Sequence, residues 1–141
     1  MCLSVAVHNP DKVLAKGEHM GFEWNVVQNG RGYRCGYVRV PKGHPWHGKS
    51  YHNEAFVPDV HGGVTFAAPG EPCDELGEDD GWWIGFDCSH RGDESDPELS
   101  GSEISDYPRL RSSGTVRTQE YVEGECRSLC KQASQAERSS R

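Results

Sequence analysis

The sequence predicts an α+β fold: a small antiparallel sheet of about four or five strands, with a C-terminal helix packed on one face and long polar loops. Two apolar patterns predict the sheet, an alternating stretch over Gly21–Val40 and the dense run GWWIGFDCSHRGD at Gly81–Asp93. A third pattern predicts the helix, because apolar residues after Thr118 recur at intervals of three and four. We therefore expect one domain over residues 1–133, followed by a polar tail at 134–141.

Length and composition set the size of the core. A chain of 141 residues is long enough for one domain and too short for two substantial cores. Its apolar content is 34%, and four Trp, five Tyr and four Phe supply much of the surface that folding can bury. We expect a small, aromatic-rich core that carries long polar loops.

The first apolar pattern is that of a β-hairpin. Phe22, Trp24 and Val26 alternate with more polar residues, and a second alternating run follows the turn sequence Asn29-Gly30. Asn-Gly between two such runs is a strong hairpin signal. The preceding stretch, Asp11–Met20, is polar and shows no clear pattern.

Shorter runs are expected to complete the sheet. Val64–Ala67 is β-prone and would pair with the strand at Trp82–Phe86, while Cys2–Val7 and Ala55–Val60 are further short candidates. Because side chains alternate along a strand, one set of apolar residues should face the helix. This set consists of Trp82, Ile84, Phe86, Val64 and Phe66.

The C-terminal helix has a start signal and one apolar stripe. Thr118 is a reasonable N-cap, with Glu120 in the first turn and basic residues towards the end. Cys126 and Cys130, four residues apart, would allow a zinc site, but Cys in an apolar stripe more often acts as a small core residue. The stripe consists of Tyr121, Val122, Cys126, Leu129, Cys130 and Ala133.

The net charge of −7 is concentrated in the middle of the chain. Glu71–Asp106 contains thirteen acidic residues and one basic residue, Arg91. Such a segment repels duplex nucleic acid, so we do not expect the protein to bind it. It overlaps Ser89–Arg117, a stretch that has few apolar residues and is too long for an ordinary connection, which indicates a functional loop or disorder.

Nothing in the sequence indicates export. The start Met1–Pro10 lacks the pattern of a signal peptide, and no stretch approaches the roughly 18 apolar residues of a membrane helix. We therefore expect a cytoplasmic protein that does not enter a membrane. Its six Cys are then expected to be reduced thiols.

The residues best suited to bind a ligand lie near the ends of the two paired strands. Glycines would leave a hollow, Trp83 would stack on a flat ring, and neighbouring polar side chains would hydrogen-bond it. The two adjacent glycines, Gly62 and Gly63, also predict a β-bulge or a close approach of another group to the backbone. We predict a site for a small polar or nucleotide-like ligand that consists of His61, Gly62, Gly63, Thr65, Trp83, Asp87 and His90.

Three of these residues, His61, Asp87 and His90, allow other chemistry. Two imidazoles and a carboxylate can hold Zn²⁺, Fe²⁺ or Mn²⁺, so a divalent transition metal is a candidate cofactor. The same groups would serve as an acid/base pair in an enzyme, with Asp59 and Asp93 nearby in sequence. The patterns GxxxxGKS/T, GxGxxG and GxSxG are missing, which argues against the common nucleotide hydrolases and α/β hydrolases.

Four segments are distinctive in combination: CGYVRVPKGHPWHGKSY (Cys35–Tyr51), DVHGGVTFA (Asp59–Ala67), WWIGFDCSHRGD (Trp82–Asp93) and YVEGECRSL (Tyr121–Leu129). Together they resemble a family of small uncharacterised proteins encoded mainly by bacteriophages and by bacterial genomes that carry phage-like genes. The resemblance implies a cytoplasmic accessory protein of a phage or mobile element, made in a bacterial host cell. It implies no activity and no role for any single residue.

Three functions remain open on this basis. The first is binding of a small polar or nucleotide-like ligand, in a sensing or counter-defence role. The second is an inhibitor or adaptor of a host protein, whose basic surface would bind the acidic loops Glu71–Asp80 and Asp93–Asp106. The third is a metal-dependent or acid/base enzyme that uses His61, Asp87 and His90. The sequence alone does not decide whether the protein is an enzyme.

Overall fold

The computed structural model describes residues 13–29, 32–50, 58–69, 81–88, 92–94, 96, 98–99 and 115–139. Within these ranges it contains seven strands and one helix: β1 (Val13–His19), β2 (Phe22–Gln28), β3 (Arg34–Val40), β4 (Phe66–Pro69), β5 (Trp82–Asp87), β6 (Asp93–Glu94), β7 (Thr115–Val116) and α1 (Gln119–Ser139). Five strands form an antiparallel sheet in the order β1-β2-β3-β5-β4, and β6 and β7 form a separate parallel pair. Because α1 packs on one face of the larger sheet, the predicted α+β fold is confirmed.

The predicted hairpin is present as β2 and β3. Trp24 pairs with Val38 across the two strands. Asn29 closes the connection twice: its backbone N–H donates to the carbonyl oxygen of Tyr33 at 2.8 Å, and its Oδ1 accepts from the Tyr33 N–H at 3.2 Å. Gly32 has a positive φ of 84°, which glycine adopts at little cost.

β1 is a strand that the sequence patterns did not predict. It is joined to β2 by the two-residue turn Met20-Gly21, in which both φ values are positive, at 53° and 87°. Two positive φ values are typical of the type I′ turn that connects twisted antiparallel strands. A register shift between Val13 and Ala15 interrupts the alternation of faces, which explains why Asp11–Met20 shows no regular pattern.

The two weakest strand predictions have different outcomes. Cys2–Val7 lies outside the described residues, as does the first half of the predicted strand Ala55–Val60. The described part of that prediction is wrong, since residues 58–60 form no strand. The backbone N–H and carbonyl groups of Asp59 are hydrogen-bonded to the side chain of Gln132 on α1.

β5 is buried on both faces. On the helix side, Ile84 and Phe86 belong to the main core, and Trp82 and Val64 pack against it as predicted. The other buried members of this core are Phe22, Trp24, Val26, Val38, Val40, Val60, Cys88, Val122, Cys126, Leu129, Cys130 and Ala133. On the opposite face, Trp83 lies in a second apolar cluster with Val27, Cys35, Tyr37, Val13 and Phe66.

The prediction that Phe66 faces the helix is wrong. Phe66 lies in the second cluster, where its ring meets the ring of Tyr37 edge to face, with 5.3 Å between centroids. β4 begins only at Phe66, which pairs with Gly85 on β5. Because Val64 precedes the strand, the alternation that would put Val64 and Phe66 on one face does not apply.

α1 begins where predicted and ends later. Oγ1 of Thr118 accepts the N–H of Tyr121 at 3.2 Å, which confirms Thr118 as the N-cap. Five stripe residues are buried: Val122, Cys126, Leu129, Cys130 and Ala133. The helix continues through residues 134–139, which were expected to form a polar tail. Gln, Ala, Glu and Arg in this segment favour helix even without burial. None of the described helical residues forms a segment long and apolar enough to cross a lipid bilayer.

Candidate functional site

The loop that carries His61 is fastened to the surface of α1. Oε1 of Gln132 accepts the backbone N–H of Asp59 at 2.7 Å, and its Nε2 donates to the Asp59 carbonyl oxygen at 2.6 Å. Two residues further on, the backbone N–H of His61 donates to Oε1 of Glu125 at 2.9 Å. These bonds fix the position of the His61 backbone relative to the helix.

The two glycines after His61 form a tight turn. The N–H of Gly63 donates to the carbonyl oxygen of Val60 at 2.8 Å, and Gly62 has a φ of 69°. A positive φ at the third of four residues is the mark of a type II turn, and it favours glycine there. A side chain at Gly63 would meet nothing within 4 Å, but φ at this residue is also positive, at 81°. The glycines therefore serve the turn, and the predicted close approach of another group is not found at Gly63.

A short parallel strand pair brings Asp93 next to the start of the helix. Asp93 of β6 pairs with Thr115 of β7, and the Thr115 N–H donates to the carbonyl oxygen of Gly92 at 2.8 Å. Arg117 follows β7 directly, so its side chain reaches Asp93: Nε donates to Oδ1 at 2.8 Å. Two segments that are far apart in sequence thus meet at the N-terminus of α1.

Arg34 holds this junction against the main sheet. Its Nη1 donates to the carbonyl oxygen of Arg117 at 2.9 Å, and its Nε donates to Oε1 of Gln119 at 3.1 Å. Nη1 also forms an ion pair with Asp96 at 2.9 Å. One side chain of β3 therefore ties together the segment after β6, the end of β7 and the first residue of the helix.

Asp93 is the buried centre of a polar cluster. Its side chain is only 1% exposed, and it pairs with two basic side chains, Arg117 and His61. Nε2 of His61 lies 3.0 Å from Oδ1 and 2.9 Å from Oδ2. Burying a carboxylate destabilises the folded protein by roughly several kcal/mol unless the group is paired and hydrogen-bonded. Asp93 meets both conditions.

His61 links this carboxylate to a phenol. Its second ring nitrogen, Nδ1, lies 2.9 Å from Oη of Tyr121, and the two rings meet edge to face. When His61 is neutral with its proton on Nε2, that proton is donated to Asp93, and Nδ1 accepts the hydroxyl proton of Tyr121. We call the four residues Asp93, His61, Arg117 and Tyr121 the Asp93 cluster.

The Asp93 cluster runs from the interior to the surface. Tyr121 is 39% exposed, whereas the side chain of His61 is 13% exposed. Partial burial, followed in importance by the carboxylate of Glu125, raises the pKa of Tyr121, so the phenol stays protonated at neutral pH. The spacing of apolar residues predicts Tyr121 in the apolar stripe of the helix, but the structure makes it the surface end of the cluster.

Arg117 is the second surface group of the cluster. Its Cζ lies 5.3 Å from the centroid of the Tyr121 ring, a cation–π distance, and its side chain is 28% exposed. The hydrogen bond that Arg117 donates to Asp93 raises the pKa of Arg117, so the guanidinium is always charged. Among the described residues, Nη1 and Nη2 of Arg117 donate no hydrogen bond. The guanidinium is thus held on one side and offers its end to solvent.

The described residues of the predicted ligand site make separate sets of contacts. His61, Gly62 and Gly63 lie beside α1, as described above. Thr65 and Asp87 do meet, through a hydrogen bond of 3.2 Å from Oγ1 to Oδ2. His90 lies outside the described residues.

The predicted stacking face is filled by the protein itself. Trp83 is 1% exposed and packs in the second apolar cluster, so its ring is not available to a ligand. The hollow expected at Gly85 is occupied, because a Cβ there would overlap the ring of Tyr37, its cross-strand partner. An aromatic ring over a cross-strand glycine is a known way to complete the packing of a sheet.

The candidate metal ligands remain separate within the described residues. No group of three or more His, Cys, Asp or Glu in that part of the chain is placed to share an ion. His61 is paired with Asp93, and Asp87 accepts from Thr65. The predicted set of His61, Asp87 and His90 stays a prediction, because the position of His90 is not described.

The cysteines belong to the interior. Cys126 and Cys130 lie in the main core, where their thiols point to the backbone carbonyl oxygens of Asn25 at 3.9 Å and Phe22 at 3.7 Å. Cys88 is also buried, and burial, followed by the charge of Asp93, raises the pKa of its thiol to about 12. A buried thiol that stays protonated is a poor nucleophile.

Two residues of the Asp93 cluster, Arg117 and Tyr121, were missed by sequence reasoning. One signal could have found Tyr121: polar residues follow it at helical spacing on one face of the helix. Glu125 and Gln132 follow on the same face as Tyr121, and both bind the loop of His61. No comparable signal marks Arg117, whose partner is 24 residues away.

Comparison with known proteins gives no match to a family model, to a curated protein or to a solved structure. The chemistry of the Asp93 cluster is therefore the basis on which a function can be proposed.

Proposed function

We propose that the protein binds a small polar or nucleotide-like ligand at the surface formed by Arg117, Tyr121 and His61. One observation carries this proposal: the buried Asp93 holds a guanidinium and, through an imidazole, a phenol in fixed positions at the surface. Groups fixed in this way lose little conformational freedom when they bind a ligand. A site at this place replaces the predicted face around Trp83.

The surface offers both planar and polar contacts. The ring of Tyr121 is exposed on the helix, and the guanidinium of Arg117 lies over it. Gly62, next to His61 in the turn, is exposed and adds no side chain to this surface. Planar rings with a few fixed polar groups are typical of sites for nucleotide-like molecules. The resemblance to phage-type proteins adds the proposed setting, the cytoplasm of a bacterial host.

An acid/base enzyme is the second candidate function, and the hydrogen bonds of His61 favour it. Phenol, imidazole and carboxylate follow one another from the surface inwards at 2.9 Å and 2.9–3.0 Å. This is the order hydroxyl–imidazole–carboxylate that positions a proton-transfer group in many enzymes. The catalytic set would then be Tyr121, His61 and Asp93 in place of His61, Asp87 and His90.

The role as an inhibitor or adaptor gains no comparable support. Of the acidic loop 93–106, Asp93 is buried in the cluster and Asp96 is paired with Arg34, so neither carboxylate is available to a basic partner. The loop Glu71–Asp80 lies outside the described residues.

A panel of nucleosides, nucleotides and sugar phosphates tests the binding proposal by thermal unfolding. A ligand at ten times its Kd stabilises the folded state by about 1.4 kcal/mol, which raises Tm by a few degrees, roughly, for a domain of this size. Tyr121→Ala should abolish the shift. Met20→Ala removes the other large exposed apolar side chain in the described part of the chain and should leave the Tm shift intact. If no compound raises the Tm of the wild-type protein, the proposal is wrong.

A further inference from the structure

We propose that the protein forms a symmetric dimer in which β1 of one copy pairs antiparallel with β1 of the other, with Gly17 at the two-fold axis. The sheets of the two copies then form one continuous sheet. This inference goes beyond the proposed function, because it concerns the outer edge of β1 and not the Asp93 cluster.

The outer edge of β1 is open to another strand. β1 is the first strand in the sheet order β1-β2-β3-β5-β4 and pairs with β2 alone. Within the described residues, no backbone hydrogen bond is formed to its other edge. A strand with free N–H and carbonyl groups along one edge is a template for pairing with a second chain.

The opposite edge of the sheet is less suited to pairing. β4 has four residues, against seven in β1, and it ends with Pro69. A short strand offers few hydrogen bonds, and proline has no N–H to donate to a neighbouring strand. Of the two edges of this sheet, β1 is therefore the one that fits a partner strand.

The charges of β1 identify the partner as a second copy. Lys16 and Glu18 are both exposed, and because they are two residues apart they lie on the same face of the strand. When Gly17 lies opposite the partner's Gly17, Lys16 lies opposite the partner's Glu18, and Glu18 opposite the partner's Lys16. Opposite charges in cross-strand pairs stabilise an antiparallel pair. Charges often protect an edge strand from other chains, but this pattern is complementary to itself.

The same charges exclude the neighbouring registers. A two-fold axis at Lys16 would place this lysine opposite its own copy, and an axis at Glu18 would do the same with two carboxylates. Like charges directly opposite one another are destabilising. A shift of one residue between the two strands would turn matching side chains to different faces of the sheet. The pairing centred on Gly17 is therefore the register that the charges favour.

Within one copy, the charges of β1 have no such match. Glu18 lies opposite Glu23 of β2, a second exposed carboxylate, and Lys16 lies opposite the neutral Asn25. In the described part of the chain neither Lys16 nor Glu18 forms an ion pair. In the dimer, the partner's Lys16 lies on the free side of Glu18 and offsets its repulsion from Glu23. The charge pattern of β1 is thus matched better by a second β1 than by β2.

Gly17 suits the centre of the pair. It lies opposite Trp24 of β2, and the indole ring covers it so closely that a Cβ there would be 2.6 Å from the nearest ring atom. No side chain at Gly17 therefore separates the two strands at the axis. Each ring covers the glycine of its own copy, so the two-fold axis brings the two indole rings towards each other on one face of the sheet.

Reversal of single charges tests this pairing by analytical ultracentrifugation over a wide range of protein concentration. The wild-type protein should show an equilibrium between monomer and dimer. Lys16→Glu or Glu18→Lys places like charges opposite one another twice in the dimer, so each should raise its dissociation constant roughly tenfold. Lys131→Glu, the same change at an exposed lysine of α1, is the matched control and should leave the dissociation constant within about twofold.

Mixing the variants tests the register itself. The edge of the Lys16→Glu variant carries only acidic residues at the two positions, and the edge of the Glu18→Lys variant only basic residues. The two variants should therefore pair with one another more tightly than either pairs with itself. The double variant Lys16→Glu with Glu18→Lys restores both opposite-charge pairs and should dimerise like the wild type. A loss of folding in one variant would not produce this rescue.

Amide hydrogen exchange gives a readout that does not depend on charge. Because pairing engages the outer edge, N–H groups of Ala15–His19 should exchange more slowly at high protein concentration than at low concentration. A wild-type protein that is monomeric at every concentration would overturn the proposal. A dimer that neither charge reversal weakens, or in which the exchange of β1 does not change with concentration, would mean that another surface joins the two copies.

Discussion

His44 joins the loop after β3 to the C-terminal half of the helix, because its Nε2 donates to the carbonyl oxygen of Ala133 at 2.8 Å. Its other ring nitrogen, Nδ1, accepts the backbone N–H of Trp46 at 3.0 Å. The two bonds require a neutral ring that carries its proton on Nε2. The side chain is also buried, and its ring packs against Phe22.

The pairing of His44 predicts that the protein loses stability in mild acid. Burial lowers the pKa of His44 below its ordinary value of 6.5, an effect only partly opposed by Ala133 and Glu137. As the pH falls, the unfolded chain takes up the proton before the folded protein does, so the free energy of unfolding decreases. The stabilisation should be complete above about pH 6.5 and lost as the pH falls through the lowered pKa.

Urea unfolding across this pH range checks the prediction. The free energy of unfolding of the variant His44→Gln should be lower by about 1–3 kcal/mol at neutral pH, because the buried carbonyl of Ala133 loses a well-placed donor. Its free energy of unfolding should then change less with pH than that of the wild type. Equal pH dependence in the two proteins would show that other groups cause the acid sensitivity.

The packing around Gly85 predicts that even substitution by alanine destabilises the protein. A Cβ at this residue would overlap the ring of Tyr37. Because β5 is buried on both faces, neither the added methyl group nor the ring has room to move aside. Gly85→Ala should reduce the free energy of unfolding by about 1–3 kcal/mol. Combining it with Tyr37→Ala should remove most of the additional penalty, which a double-mutant cycle measures.

Gly124 gives the control for this experiment, because it is a glycine in a helix with free space around it. The nearest atom to a Cβ there is Nη2 of Arg127, at 3.9 Å. Gly124→Ala should therefore stabilise the protein by about 0.5–1 kcal/mol, the ordinary gain in a helix interior. If both substitutions changed stability in the same direction, the packing argument at Gly85 would fail.

The elements that could be predicted from sequence are those with a local, regular pattern. The hairpin of β2 and β3, the strand β5 and the helix α1 each carry a regular apolar pattern in the sequence, and the period of that pattern identifies them. β1 could not be found in this way because its register shift breaks the alternation. The face of Phe66 was predicted wrongly because Val64 and Thr65 lie outside β4, so the alternation of a strand does not include them.

The candidate site was less predictable than the fold, because its contacts are not local. His61 contacts residues that are 32 and 60 positions away in sequence. No rule of sequence spacing predicts that residues so far apart meet in the fold. The polar ends of β4 and β5 were the expected meeting point, but the turn at Gly62 directs His61 towards the helix instead. The acid that binds it, Asp93, is positioned by pairing with Thr115, a contact between two-residue strands that leave no pattern in the sequence.

Asp93→Asn tests whether the Asp93 cluster also stabilises the fold. The substitution keeps the shape but removes the charge that binds Arg117 and His61. We expect the free energy of unfolding to fall by about 1.5–3 kcal/mol, the range for hydrogen bonds to a charged group. Glu98→Gln, an exposed acid of the same segment, should change the free energy of unfolding by less than about 0.5 kcal/mol. A neutral effect of Asp93→Asn would mean that the buried ion pairs do not contribute to stability.

The four cysteines in the described part of the chain should resist alkylation in the folded protein. All are buried, and burial is the main cause that raises the pKa of Cys35, Cys88 and Cys130 to about 12 and that of Cys126 further still. Since the thiolate is the reactive form, labelling by iodoacetamide at neutral pH should be at least a hundredfold slower, roughly, than for an exposed thiol. Mass spectrometry of peptides after a short pulse measures each site separately, and unfolding in urea should make all four react. Rapid labelling of Cys88 in the native protein would show that the end of β5 opens beside Asp93, which would also expose the buried centre of the cluster to solvent.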